Sequence, residues 1–317
     1  PAASQIESVG DQRVERWLQD WPRLATEFRD AEGRHPCHSL FYPAEAPEGA
    51  KRYVPQLLPL LEKGWAEMEI HLHHRDDTEA GLRAQLIEFR NYLNFEHRIL
   101  GEDAQGRARY GFIHGNWALC NARPDGDWCG VDDELDVLKE TGCYADFTFP
   151  SIPSPTQPRN FCNDLYWARN RHGAPRSHDY GRRLLVGAAP NKDELLLVQG
   201  PVGLNWRNRK FGLAPHIKNA DVSGGNIPTS DRVDLWTRQQ VHVKGRENWI
   251  FVKLHTHGCM ERNADVLLGD RMRAMYKYLL EHYNDGRNAA VHFVSARELS
   301  NIARAAVDRE DEMPGKY

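Results

Sequence analysis

The sequence predicts an α/β chain: a distorted (β/α) barrel of mainly parallel strands, with residues 1–317 forming a single domain. Three observations carry that expectation. Short apolar runs rich in β-branched and aromatic residues alternate with longer stretches of helical periodicity, the pattern of repeated strand–helix units. The polar residues best suited to chemistry gather just after those apolar runs, where a parallel barrel brings them to one face. A chain of 317 residues, 40% hydrophobic and 27% charged, can also bury one sizeable core. An open doubly wound sheet is the second choice and places ligands at the same strand ends.

Taken in order, "VERWLQDWPRLATEF" sets Val14, Trp17, Leu18, Trp21, Leu24, Ala25 and Phe28 near helical spacing, with Pro22 expected to kink or split the helix. "HSLFY" reads as a strand stopped by Pro43, "YVPQLLPLLEKG" as a helix stopped at Gly64, and "AEMEIHL" as the next strand. "TEAGLRAQLIEFRNYL" lines up Leu82, Leu86, Phe89 and Leu93 on one helical face. "RYGFIH", "DDELDVLKETG" and "CYADFTF" continue as strand, helix and strand. Residues 150–180, rich in Pro, Asn, Arg and Ser, break the rhythm and read as a long loop excursion. "RRLLVG" and "ELLLVQG" are expected to pair as a hairpin. "SDRVDLWTRQQVHV" is expected as a helix capped by Ser230 or Asp231. "NWIFVKLHTH" and "AAVHFV" read as strands around the long amphipathic helix "ADVLLGDRMRAMYKYLLEHYNDG". Ser295 and Glu298 form a capping box before the last helix.

Composition removes several function classes. The net charge of −4 gives no global basic field for nucleic acid or acidic membranes. No apolar run approaches the 18 or so residues of a membrane span. Neither a dinucleotide fingerprint nor a P-loop is present. The stretch "PAASQIESVGDQR" lacks a signal-peptide apolar region, and the six cysteines (Cys37, Cys120, Cys129, Cys143, Cys162 and Cys259) form no CxxC pair. They read as reduced residues, and the expected location is cytoplasmic.

Four strand ends carry the chemistry. "EIHLHHRDDT" crowds three histidines and two aspartates into residues 69–78. Strand alternation sets Glu69, His71 and His73 on one face and Ile70, Leu72 and His74 on the other. Imidazole and carboxylate suit a divalent cation, Zn²⁺ first, and the expected ligands are His73, Asp77 and His71. The competing reading makes Asp77 or Thr78 the cap of the next helix, His71 a core histidine and His74 a surface one. In "KLHTHG", His255 and His257 share a face and are candidate catalytic acids. "FIHGNW" offers His114, Asn116 and Trp117 for substrate binding, with Trp117 able to stack on a sugar or to sit in the core. Asp146 in "YADFT" either orients a histidine or satisfies backbone donors. Trp167 and its Arg- and Asn-rich surroundings suit carbohydrate, or a loop packed on itself.

The stretches "EIHLHHRDDT", "YGFIHGNWALCNARPDGDWCGVDDELDVLKETGCYADFTFPS" and "FVKLHTHG", spread over most of residues 36–300, resemble the polysaccharide deacetylase (NodB-homology) superfamily, and more closely a divergent branch associated with exopolysaccharide or O-antigen loci. The resemblance implies a distorted (β/α) barrel and metal-dependent removal of N- or O-acyl groups from a carbohydrate partner. The family's second motif, roughly E-I-G-N-H-T-x-x-H, lays its two metal-binding histidines on His73 and Asp77. Its Leu-x-His acid motif falls on His255 or His257, neither with Leu two residues earlier. Its third motif lies near "FIHGNW" without the Arg-x-Pro-Tyr pattern. No strand ending in the family's first Asp–Asp pair is readable before residue 37, so the catalytic base is unassigned. Two functions follow as expectations: a metal-dependent carbohydrate deacetylase, or a degraded barrel that binds glycan or scaffolds polysaccharide synthesis.

Overall fold

The computed structural model describes residues 3–210, 213–258 and 260–317; Cys259 lies outside them. In chain order the elements are α1 (Ala3–Ala25), β1 (His38–Pro43), α2 (Pro47–Glu62), β2 (Ala66–Leu72), α3 (Glu79–Asn91), β3 (Gly101–Glu102) and β4 (Ala108–His114). They continue with α4 (Glu134–Glu140), β5 (Cys143–Asp146), β6 (Leu165–Arg169), β7 (Gly181–Arg183), β8 (Glu194–Val198), β9 (Gly203–Lys210) and β10 (Ala214–Lys218). Four helices close the chain: α5 (Ser230–Arg238), α6 (Glu261–Leu267), α7 (Asp270–Tyr283) and α8 (Ala296–Val307).

The class is mixed α/β with a mostly parallel central sheet. Its strands run β1-β2-β4-β5-β8-β6-β7, with β3 hung on β4 and β9-β10 forming a separate pair. The pairs from β1 through β8 are parallel, and β6 and β7 join antiparallel. Short βα units force this arrangement, because a strand followed by a helix returns beside its predecessor pointing the same way. In β8, Leu195 and Leu197 enter one core while Leu196 and Val198 enter the other, so the centre of the sheet is buried on both faces. Each fully buried Leu or Ile, such as Ile70, Leu86 or Leu196, contributes roughly 1.5–3 kcal/mol.

Helix chemistry follows local signals. Thr78 caps α3 by accepting from Gly81 N–H, and Leu82, Leu86 and Phe89 bury that helix. The Ser295–Glu298 capping box opens α8. Pro22 does not split α1: it lies in the last turn, where the one backbone bond it removes, to the Leu18 carbonyl, comes just before the helix ends at Ala25. Thr229, rather than Ser230 or Asp231, occupies the position before α5.

Some expected strands take other forms. Gly181–Arg183 pairs with β6, and β8 inserts between β5 and β6, so "RRLLVG" and "ELLLVQG" make no hairpin with each other. "FVKLHTH" runs as extended chain with one bridge, Asp221 to His255, and "AAVHFV" forms no ladder strand. The excursion at 150–180 contains β6 and a short 3-10 turn, and it is anchored rather than free. Arg176 donates to the carbonyls of Ala122, Pro155 and Gln157 and pairs with Asp179. Among the described residues no helix is long and apolar enough to cross a membrane.

Candidate metal centre

Adjacent parallel strands β2 and β4 pair Ile70 with Phe112 and Leu72 with His114. On β4, alternation sends Tyr110, Phe112 and His114 into the interior. Continuing the face of Ile70 and Leu72 past the end of β2 brings His74 inward beside His114. Both rings are buried, 8% and 1% exposed, and their Nε2 atoms face each other at 2.8 Å. Glu134, at the start of α4, points Oε1 at both, 3.5 Å from His74 Nε2 and 3.4 Å from His114 Nε2. Cys129 completes the group: its Sγ lies 3.4 Å from Glu134 Oε2. One potential ligand atom from each of His74, His114, Cys129 and Glu134 lies within 4.8 Å of all the others, and this is the group of His, Cys and carboxylate side chains among the described residues that could hold a metal ion.

The surroundings fit that use. His74 Nδ1 is paired with Asp77 Oδ2 at 3.0 Å, and His114 Nδ1 with the Gly115 carbonyl at 2.6 Å. Both rings therefore have an outer partner that turns Nε2 inward, as metal-binding histidines do. Glu134 Oε2 accepts from Cys120 N–H at 2.6 Å, while buried Oε1 has no hydrogen-bond partner. That oxygen is met by the two imidazole Nε2 atoms at ion-pair distance, 3.4 and 3.5 Å, and a buried carboxylate oxygen without a hydrogen bond is costly unless something positive meets it. Cys129 Sγ accepts N–H bonds from Asn121 and Val131.

Proton balance shows the same tension. Burial lowers His114 to about 4 against the pull of Glu134, whereas His74, also penalised by burial, is raised overall by Glu134 and Asp77. Burial pushes Glu134 up, but the two imidazoles and the Cys120 N–H outweigh it and hold the carboxylate below its usual range. Burial, then the Glu134 charge, drive the Cys129 thiol up. A cation reverses that last effect, because a coordinating thiol is deprotonated.

The segment supplying Cys129 and Glu134 bends sharply. Asn116, Trp117, Cys120, Asn121 and Trp128 all have φ between 51° and 65°. Each non-glycine residue held left-handed costs about 1–2 kcal/mol. Gly130, at φ +91°, is required: a Cβ there would stand 2.7 Å from Asp77 N, whose N–H donates to Cys129 O.

The expected ligands take other places. His73 Nδ1 meets Glu45 Oε1 at 2.6 Å, its side chain is 40% exposed, and its ring lies against Gly115. His71 Nδ1 bonds the Ile113 carbonyl, and its ring stands edge-on to His73 at 4.4 Å. Asp77 supports His74 from outside. Of the substrate candidates, Trp117 is 39% exposed and Asn116 half-buried, while His114 belongs to the cluster and Trp167 is 1% exposed inside the core on β6. Asp146 accepts from the Thr148 N–H and hydroxyl, and Thr148 Oγ1 in turn accepts from His114 N–H. His255 hydrogen-bonds Ala220 O through its backbone, and its Nδ1 is buried without a partner; His257 is exposed. Lys253 reaches the carbonyls of Phe147 and Phe149, tying this segment to the end of β5.

No family model, curated protein or solved structure matches the chain.

Two of the four candidate donors, His74 and His114, lie in the strand-end stretches "EIHLHH" and "FIHGNW", which do not mark them as a ligand pair. Cys129 and Glu134 were missed. Their signal is modest: Glu134 precedes Val137, Leu138 and Thr141 at helical spacing, placing a carboxylate on the buried stripe of α4.

Proposed function

We propose that the chain is a metal-dependent acyl hydrolase of the polysaccharide deacetylase type, acting on N- or O-acyl groups of a carbohydrate at the strand-end face of a barrel-like sheet. The observation that carries this is the inward-facing His74–His114 pair joined by the unpartnered Glu134 oxygen at the ends of β2 and β4. A donor set of two imidazoles, one thiolate and one carboxylate favours Zn²⁺ over Mg²⁺ or Ca²⁺. When bound, such an ion supplies a Lewis acid that polarises a carbonyl and acidifies water.

The chain's own residues have separable tasks in this reading. The His73–Glu45 pair, half-open to solvent, carries a proton, with Glu45 fixing the ring through Nδ1. His255 suits the acid role poorly: burial, then neighbouring Lys253, depress it to about 3, which leaves it unprotonated at neutral pH. Trp117, 39% exposed, and half-buried Asn116 follow His114 directly in the chain and are the residues proposed to meet sugar. The resemblance in "EIHLHHRDDT" and "FIHGNWALCN" supports carbohydrate as the substrate class, with a ligand set that departs from the family's own.

One feature favours a second reading. Four protein donors close the centre, and closed sites are typically structural. The chain would then bind glycan without hydrolysing it. The test is zinc-loaded protein assayed with 4-nitrophenyl acetate and for acetate release from N-acetylated oligosaccharides. Turnover lost on chelation, restored by zinc and abolished in His73→Ala with metal retained supports the hydrolase. Glycan binding with no turnover in loaded protein selects the second reading.

A further inference from the structure

The four donors come from two mechanically distinct parts. His74 and His114 sit at the ends of neighbouring sheet strands, where the ladder fixes their backbones. Cys129 and Glu134 sit at the far end of a long connection that leaves β4 at Gly115 and returns at α4. That connection is irregular, carries five left-handed non-glycine residues, and presents Trp117 to solvent. Its direct ties to the end of β2 are few: the Asp77 N–H bond to Cys129 O, the surface pair Arg75–Asp127, and Arg75 stacked on Trp128 at 3.9 Å. The two Arg75 ties are exposed and hold weakly; the segment's stronger anchors, the buried side chains of Leu119, Cys120 and Val131 and the Arg176 bonds to the carbonyls of Cys120 and Ala122, fasten it to the core and to the 150–180 excursion.

We propose that a zinc ion in this centre acts as a clamp, with Cys129 and Glu134 fastening residues 115–134 onto His74 and His114 and so setting Trp117 at the rim. The inference rests on the metal reading of the cluster and not on hydrolysis. Metal binding and local folding are then one equilibrium, since the full donor set exists only when the segment is closed. Because Trp117 and the ligands share that segment, loss of the ion moves the rim as well as the centre. A hard cation without affinity for thiolate, such as Mg²⁺, does not replace zinc.

The experiment is hydrogen exchange by mass spectrometry on the full chain, zinc-loaded, chelated and reloaded, with zinc quantified in each sample. Expected is exchange in peptides covering 115–134 at least about tenfold faster after chelation, restored by Zn²⁺ and not by Mg²⁺. Peptides of β2, β4 and β8 stay protected. Cys129→Ala, which leaves both strand ends intact, shows the fast exchange even with zinc present. If zinc is bound and removed while exchange in 115–134 is unchanged, the clamp is refuted and the metal centre stands. If the chain takes up no zinc, the metal reading falls and the clamp with it.

Discussion

Gly115→Ala separates the proton-transfer role proposed for His73 from its contribution to stability. A Cβ at Gly115 would stand 2.2 Å from His73 Cδ2, 2.5 Å from Cγ and 2.9 Å from Nε2. Contacts under about 3 Å do not persist, so the ring must move by roughly 1 Å or swing into solvent, a displacement able to cost about 10²-fold in rate. Either movement breaks the 2.6 Å contact with Glu45. The stability cost is small. A partly exposed side-chain pair such as His73–Glu45 contributes about 0.2–1 kcal/mol. Gly115 lies outside the left-handed region, so alanine returns about 0.4–1 kcal/mol by restricting the unfolded chain. With an unfolding entropy near 2.1 cal/mol/K per residue, the net shift in Tm stays within about 2 °C. Turnover on 4-nitrophenyl acetate is expected to fall by about 10²-fold or more, the scale of losing a positioned acid–base group. Steady-state kinetics, differential scanning calorimetry and zinc content on the same preparations decide it. A folded, zinc-loaded G115A protein with wild-type turnover would refute the role given to His73.

Two further outcomes follow from burial. His178 is fully buried, its ring nitrogens make no well-formed hydrogen bond although Nε2 lies 3.8 Å from Asp179 Oδ1, and burial lowers it to about 4 against the pull of Asp179. Between about pH 6.5 and 4 the unfolded state therefore binds the extra proton, so stability falls with pH across that window and levels off below it. His178→Phe should remove roughly 3 kcal/mol of that acid sensitivity, at about 1.4 kcal/mol per pH unit, measured by urea titrations along the pH series; an unchanged slope contradicts the assignment. The two tryptophans proposed for sugar binding should separate. Trp117→Ala shifts stability by less than about 0.5 kcal/mol while weakening glycan binding. Trp167→Ala, in the core, costs about 3–5 kcal/mol in chemical denaturation; equal losses in the two variants would contradict their burial.

The legible parts of the fold were those set by local periodicity. Alternation in "EIHL" and "YGFIH", the apolar stripe of α3, and the Ser295–Glu298 box each depend on neighbours a few residues away, and each appears as read. "FVKLHTH" and "AAVHFV" carry the same apolar signal, but whether such a run pairs depends on distant partners, and these two lie outside the ladders. The centre shows the same division. Alternation set His74 on one face with Ile70 and Leu72, but the competing reading left it at the surface and the spacing favoured His73 and Asp77; the structure instead buries His74, 8% exposed, because the chain continues that face inward past the end of β2. Cys129 and Glu134 reach the histidines only through the left-handed bends of residues 116–128, a backbone path that composition does not encode.

The central claim is the ligand set, and elemental analysis of purified chains tests it most directly. Wild type should carry about one zinc per chain, as should a His71→Ala/His73→Ala variant, while Cys129→Ala/Glu134→Ala should carry essentially none. Zinc retained in the Cys129/Glu134 variant and lost in the His71/His73 variant, or no zinc in any protein after reconstitution, would contradict the centre described above.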